Sequence, residues 1–116
     1  MRTELDGVCA KGAATRPSLL ACTVVAGGFG IYISEGAGGV VIGNDVSGCR
    51  YGGLLLAEVD PSLVVEGNLI HDCHICGVHV SALCPQSFAW GEGNVIRDIA
   101  GGAMDDLRVH LRDRLD

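Results

Sequence analysis

The chain has 116 residues, 48 % hydrophobic and only 4 % aromatic, with 18 glycines and a formal net charge of −6. That length allows one domain, and its apolar share with so few aromatics suits a narrow aliphatic core with many corners. A single lysine, Lys11, and no basic cluster before residue 100 exclude a nucleic-acid surface, and no run reaches the ~18–20 apolar residues of a membrane span.

In chain order, one short phrase keeps returning. Gly7-Val8-Cys9-Ala10 is followed by Gly30-Ile31-Tyr32-Ile33, Gly53-Leu54-Leu55-Leu56, Gly77-Val78-His79-Val80 and a worn Gly102-Ala103-Met104, with leading glycines 23, 23, 24 and 25 residues apart. A second phrase, glycine-Asn, lies between copies at Gly43-Asn44, Gly67-Asn68 and Gly93-Asn94. Arg16-Pro17-Ser18 and Asp60-Pro61-Ser62 read as equivalent corners, and residues 35–39 as a flexible one. Residues 19–25 read as a strand with Cys22 in the later Asn column. Residues 40–46 and 54–56 carry the next coil, and residues 63–65 open the strand leading to Asn68. Asn94 follows Asn68 by 26 residues where the earlier step was 24, so an extra loop is expected around Cys84-Pro85-Gln86 to Trp90-Gly91, read as a tolerated insertion. Met104, Leu107, Leu111 and Leu115 recur at three- and four-residue intervals. Asp105 and Asp106 precede Arg108, Arg112 and Arg114 as a helix dipole favours. A C-terminal capping helix over residues 104–116 is therefore expected, after β-repeats over residues 1–103.

A fixed period in this range signals a repeat architecture. No copy has room for a ten-residue helix between its strands, so the copies must stack as coils of short parallel strands. Coils about 4.7–4.9 Å apart make a cylinder on the order of 24 Å long. Within each phrase the residues alternate in facing. Val8, Ile31, Leu54 and Val78 form one aliphatic column, and Ala10, Ile33, Leu56 and Val80 another; both face the core. Cys9, Tyr32, Leu55 and His79 form a mixed column that faces out. Asn44, Asn68 and Asn94 form a ladder able to hydrogen-bond from coil to coil. The glycines are assigned to the corners, where φ must be positive.

Gly-Val-Cys-Ala-Lys-Gly, Pro-Ser-Leu, Gly-Ile-Tyr-Ile and Gly-Asn-Asp-Val resemble the right-handed parallel β-helix repeats of the carbohydrate-binding and sugar-hydrolase type. Within that group they are most similar to the β-helical domain of F-box-only proteins. The resemblance covers residues 7–100 and implies an all-β, right-handed parallel β-helix of about four to five coils. It also implies a substrate-recognition role in ubiquitin ligases; no F-box helical segment is present to carry ligase activity itself. The same repeat class includes polysaccharide lyases and hydrolases.

Three sets of residues have chemistry to weigh. His71-Asp72-Cys73-His74-Ile75-Cys76 interleaves His-x-x-His with Cys-x-x-Cys, and His71, Cys73, His74 and Cys76 are ligand types that zinc takes. They fall at a corner between strands, and Cys73 matches Cys49 and Ala26 of earlier coils, so packing explains them without a metal. Glu35, Glu58 and Asp60 occupy one corner region in successive coils, where paired carboxylates could serve glycoside cleavage. No Arg or Lys adjoins them in sequence, and a solvated corner is the plainer explanation. Tyr32, Leu55 and His79 run down one outward face and form the expected binding stripe.

The reading is thus a non-catalytic recognition or scaffold module that binds a protein partner through that stripe and needs no cofactor. The alternative is a carbohydrate-active enzyme, or part of one. Charges in Met1-Arg2-Thr3-Glu4-Leu5-Asp6 stand where a secretion signal needs an apolar stretch. The six cysteines therefore read as reduced thiols of a cytoplasmic or nuclear protein. The same six residues are too short to cap the first coil, so end-to-end association, as in a piece of a longer stack, is expected.

Overall fold

The computed structural model describes residues 2–3 and 7–108 of the chain. The first coil comprises β1 (Arg2–Thr3), β2 (Val8–Lys11) and β3 (Ser18–Leu20). The second comprises β4 (Thr23–Ala26), β5 (Phe29–Ser34) and β6 (Val40–Ile42), and the third β7 (Asp45–Ser47), β8 (Gly52–Leu56) and β9 (Val64–Glu66). The fourth has β10 (Leu69–His71) and β11 (Cys76–Val80), and β12 (Val95–Arg97) and β13 (Met104–Asp106) begin a fifth. Like positions stack into three sheets, β1-β4-β7-β10-β12, β2-β5-β8-β11-β13 and β3-β6-β9, with every pairing parallel. The chain is an all-β parallel solenoid of about four turns.

The core is a set of aliphatic columns. Ile31 pairs in register with Val8 and Leu54, and Leu54 with Val78. Val24, Val46 and Ile70 face them from the first sheet and Val41 and Val65 from the third. Ile31, Ile33, Leu54, Leu56, Val78 and Val80 are all fully buried. Each such side chain contributes about 1.5–3 kcal/mol of transfer free energy, so a narrow core suffices because it repeats.

The glycines divide into two kinds. Gly43, Gly67 and Gly93 have φ of 67°, 62° and 75° and turn the corner before each Asn. The leading glycines Gly7, Gly30, Gly53 and Gly77 do not have positive φ. They lie where the first two sheets converge: a Cβ on Gly53 would stand 2.4 Å from Ile70 Cγ2 and 2.9 Å from the Gly77 carbonyl oxygen. The recurrent glycine of the phrase is therefore a close-packing residue, and corner geometry belongs to the other set.

Three expectations are corrected. Residues 19–25 and 40–46 are each two strands in different sheets, broken at Ala21-Cys22 and Gly43-Asn44. Met104–Asp106 does not open a helix: it pairs with β11 as Val78↔Met104, His79↔Asp105 and Val80↔Asp106, one residue later than the glycine spacing implied. Asp105 consequently faces outward beside His79. The acidic pair can be accommodated as a strand because its neighbours supply the ladder and its carboxylates have partners. Leu107 and Arg108 take helical backbone, and the remainder of the expected cap, residues 109–116, lies outside the described residues.

The longer step between Asn68 and Asn94 is taken up at residues 83–91, which replace a third strand in the fourth coil. Phe88 is buried against the end of the core, and the Cys84 thiol donates to the Leu56 and Ala57 carbonyls at 2.9 and 3.1 Å. Arg108 holds the segment from below, donating from Nη1 to the Pro85 and Phe88 carbonyls at 2.8 Å each, with its guanidinium 5.3 Å from the Phe88 ring. The insertion thus plugs the stack.

Candidate functional site

The outward column of the second sheet is Cys9, Tyr32, Leu55, His79 and Asp105, fixed by strand register. Tyr32, Leu55 and His79 therefore share one face, and each is half-buried. His79 Nδ1 lies 3.4 Å from an Asp105 carboxylate oxygen, so the C-terminal end of the column is polar.

The other end of the face is aromatic, and only Tyr32 of this group was picked out by the repeat pattern. Phe29 stands three residues before Tyr32 on the same strand, with ring centroids 6.3 Å apart in an edge-to-face pair. Its ring lies over Gly52, where an added Cβ would be 3.0 Å from Phe29 Cε1. Tyr51, from the corner of the next coil, closes on Phe29 at 6.0 Å. Such pairs favour one another by about 0.5–1.5 kcal/mol beyond area burial. Two cations flank the cluster: Lys11 Nζ is 5.6 Å from the Tyr32 centroid, and Arg50 Cζ is 5.8 Å from that of Tyr51. Neither cation has a carboxylate partner among the described residues. Tyr51 is 45 % exposed, and Ile75, its successor in the next coil, is 52 % exposed. The sequence signal for this cluster was available in the cations next to aromatics, Arg50-Tyr51 in sequence and Lys11-Tyr32 across coils.

The metal-ligand candidates disperse. His71 faces outward on the first sheet, with Nε2 2.8 Å from Asp45 and Nδ1 2.5 Å from Asp72. Cys73 points inward and donates to the His71 carbonyl. His74 is exposed, and the Cys76 thiol lies on the second sheet, donating to the Tyr51 carbonyl at 3.4 Å. Among the described residues, no three or more His, Cys, Asp or Glu converge on a space for a metal ion. The two carboxylates, Asp72 first and Asp45 second, hold the His71 proton and raise its affinity above that of an ordinary histidine, against a slight burial effect.

The acidic candidates divide in the same way. Glu35 and Glu58 sit at consecutive exposed corners, where the Gly36 N–H donates to the Glu58 carbonyl at 2.7 Å. The Asp60 carboxylate is turned to Ser62, whose N–H and hydroxyl both donate to it, and to Arg16 at 3.7 Å. Those hydrogen bonds, and secondarily Arg16, lower its proton affinity. Asp60 thus ties its own corner to Ser62 and to Arg16 of an earlier coil.

Fold and face together define a β-solenoid whose polar and aromatic side chains are set out along outward strand columns. The family described as right handed beta helix region matches residues 2–106, and the chain belongs to that family. Its coil is accordingly right-handed. No curated protein and no solved structure matches the chain closely enough to count as a relative.

Proposed function

We propose that the chain is a non-catalytic recognition module that binds a protein partner on the outward face of β2, β5, β8 and β11. The observation that carries this reading is the Phe29–Tyr32–Tyr51 cluster, continued by Leu55 and His79 and flanked by Lys11 and Arg50. Two cations without carboxylate partners among the described residues, beside half-exposed aromatic surface on a chain of net charge −6, complement a segment with an apolar residue between acidic ones. Aromatic and Arg side chains are also the types that dominate binding energy at interfaces. The phrase resemblance to F-box-only proteins extends the proposal: the partner would be a substrate protein presented to ubiquitin-ligase machinery, in a cytoplasmic or nuclear setting where free thiols persist. The carbohydrate-active alternative has less behind it: Glu35 and Glu58 sit at exposed corners, and the Asp60 carboxylate is engaged by Ser62 and Arg16.

A random-peptide display library selected against the immobilised chain tests this, with Tyr32→Ala/Tyr51→Ala as the counter-bait. Enrichment of acidic–apolar sequences on the parent alone is the expected result. Equal enrichment on both baits overturns the reading. Binding of polysaccharides on a glycan array, lost in the same variant, would transfer the face to the carbohydrate alternative.

A further inference from the structure

The cysteines at the corner between the first and second sheets form a column of their own. Ser47 pairs in register with His71. Two residues further on, Cys49 and Cys73 take equivalent places in neighbouring coils, 1 % and 3 % exposed. Ala26 holds the same place one coil earlier: a Cβ on Gly7 would meet Ala26, as one on Gly30 would meet the Cys49 sulfur at 3.1 Å. The two thiols have matching orientations. Cys49 donates to the Ser47 carbonyl at 3.4 Å and Cys73 to the His71 carbonyl at 3.5 Å. Their backbones stay in the ladder, with the His74 N–H on the Cys49 carbonyl at 3.0 Å.

We propose that Cys49 and Cys73 are an oxidisable dithiol whose disulfide staples the third coil to the fourth. Residues at equivalent places in adjacent coils are separated by the strand spacing of about 4.7–4.9 Å, inside the roughly 4.4–6.8 Å span of Cα atoms that a disulfide bridges. The thiols titrate as a pair. Their interaction, with burial added at Cys49, lets the proton of Cys73 leave more readily and holds that of Cys49 more tightly, which supplies at Cys73 the thiolate that exchange requires. Both residues lie outside regular strands and are flanked by exposed neighbours, Gly48 and Arg50 around Cys49, Asp72 and His74 around Cys73. Access therefore needs a local opening of a corner, while the core sheets stay closed.

The oxidant is a low-molecular-weight disulfide. The Cys73 thiolate attacks one of its sulfurs, forming a mixed disulfide and releasing one thiolate, which takes up the displaced proton. Cys49 then attacks the Cys73 sulfur, passing its proton to the departing thiolate, which breaks the mixed disulfide and releases the second thiol. The protein loses two hydrogens and two electrons, and the oxidant becomes two thiols. Cys9 and Cys22 are exposed and stand in other columns, Cys84 is engaged with the Leu56 carbonyl, and Cys76 lies on the second sheet.

The folded chain, equilibrated in glutathione buffers from reducing to oxidising and quenched with alkylating reagent, tests the pairing by peptide mass spectrometry. A Cys49–Cys73 cross-linked peptide, lighter by two hydrogens than the free pair, is expected in the oxidising buffers. It should revert with dithiothreitol and be lost in both Cys49→Ala and Cys73→Ala. Both cysteines remaining alkylatable after unfolding from the most oxidising buffer would overturn the proposal. So would a cross-link that joins either to Cys76 or Cys84 instead. Circular dichroism before the quench confirms that the sheet structure is intact, and a cross-link found only in chain that has lost it also counts against the proposal.

Discussion

Asn68 Oδ1 accepts two hydrogen bonds from Asn44, one from its backbone N–H at 3.0 Å and one from its side-chain amide at 2.9 Å. Asn94 repeats both contacts to Asn68, and the Cys22 N–H caps the row on Asn44 Oδ1 at 2.9 Å. The spare amide hydrogens go to the carbonyls of Leu19, Val41 and Val65. Every corner after the third sheet is thus tied to the next by side chains within a buried row. Asn68→Ala strands the Asn44 donors and the Val41 carbonyl. At about 1–3 kcal/mol for a buried group left unsatisfied, the loss should be about 3 kcal/mol or more in urea unfolding. Asn94→Ala, at a half-buried position, should cost less.

The two kinds of glycine are expected to respond differently to a single methyl. Gly43→Ala meets nothing within 4 Å and incurs only the left-handed backbone penalty, about 1–2 kcal/mol. Gly53→Ala drives its methyl into Ile70 and the Gly77 carbonyl, so the third and fourth coils must separate. Its cost should reach or exceed about 3 kcal/mol, the upper range for overpacking. Thermal unfolding of the two variants side by side checks the order; equal losses would refute the close-packing role.

His71 makes stability depend on pH in a definite direction. Its proton affinity is raised in the folded state above the ordinary value of 6.5. The Asp72 and Asp45 contacts therefore contribute fully below pH 6.5, and the contribution is lost as pH rises through the higher folded-state value. The unfolding free energy of the parent should fall over that window relative to His71→Gln. A titration of the His71 ring protons by NMR locates the window. Parallel pH profiles for parent and variant would mean that the clamp contributes nothing.

Arg108 is buried, and Asp106 hydrogen-bonds raise its already high proton affinity, so it stays charged. Its planar fork reaches Asp106, Pro85 and Phe88 together, a geometry that an ammonium cannot match. Arg108→Lys should loosen residues 83–91 by about 2 kcal/mol. Hydrogen exchange would show this as faster exchange at Phe88, whose N–H donates to Pro85, with β5 and β8 unchanged.

The outward stripe of Tyr32, Leu55 and His79 was legible because three coils repeat one phrase and a strand alternates. Its aromatic end left only the cation–aromatic neighbours as a signal, because Phe29 and Tyr51 belong to different coils at places one residue out of register, so no column of the repeat joins them. The fifth turn was misplaced by one residue for a related reason. Around Gly102 no inward aliphatic pair pins the register, and the pairing is decided by His79 meeting Asp105 and by Arg108 drawing Asp106 toward the plug. The acidic and Cys/His candidates looked clustered because they are neighbours in sequence; a corner turns consecutive side chains onto different sheets, so His71, Cys73 and Cys76 part company.

The sequence by itself determined the coil period, the core columns and the Asn ladder, because each rests on residues recurring at equivalent places, and a parallel stack turns recurrence directly into contact. The tertiary structure alone decided which sides of the coil approach closely enough to require Gly53. It also decided how the insertion folds back to seal the stack, and which outward residues meet. Those outcomes depend on distances between sheets and on side chains from non-equivalent positions, and no repeat pattern encodes them.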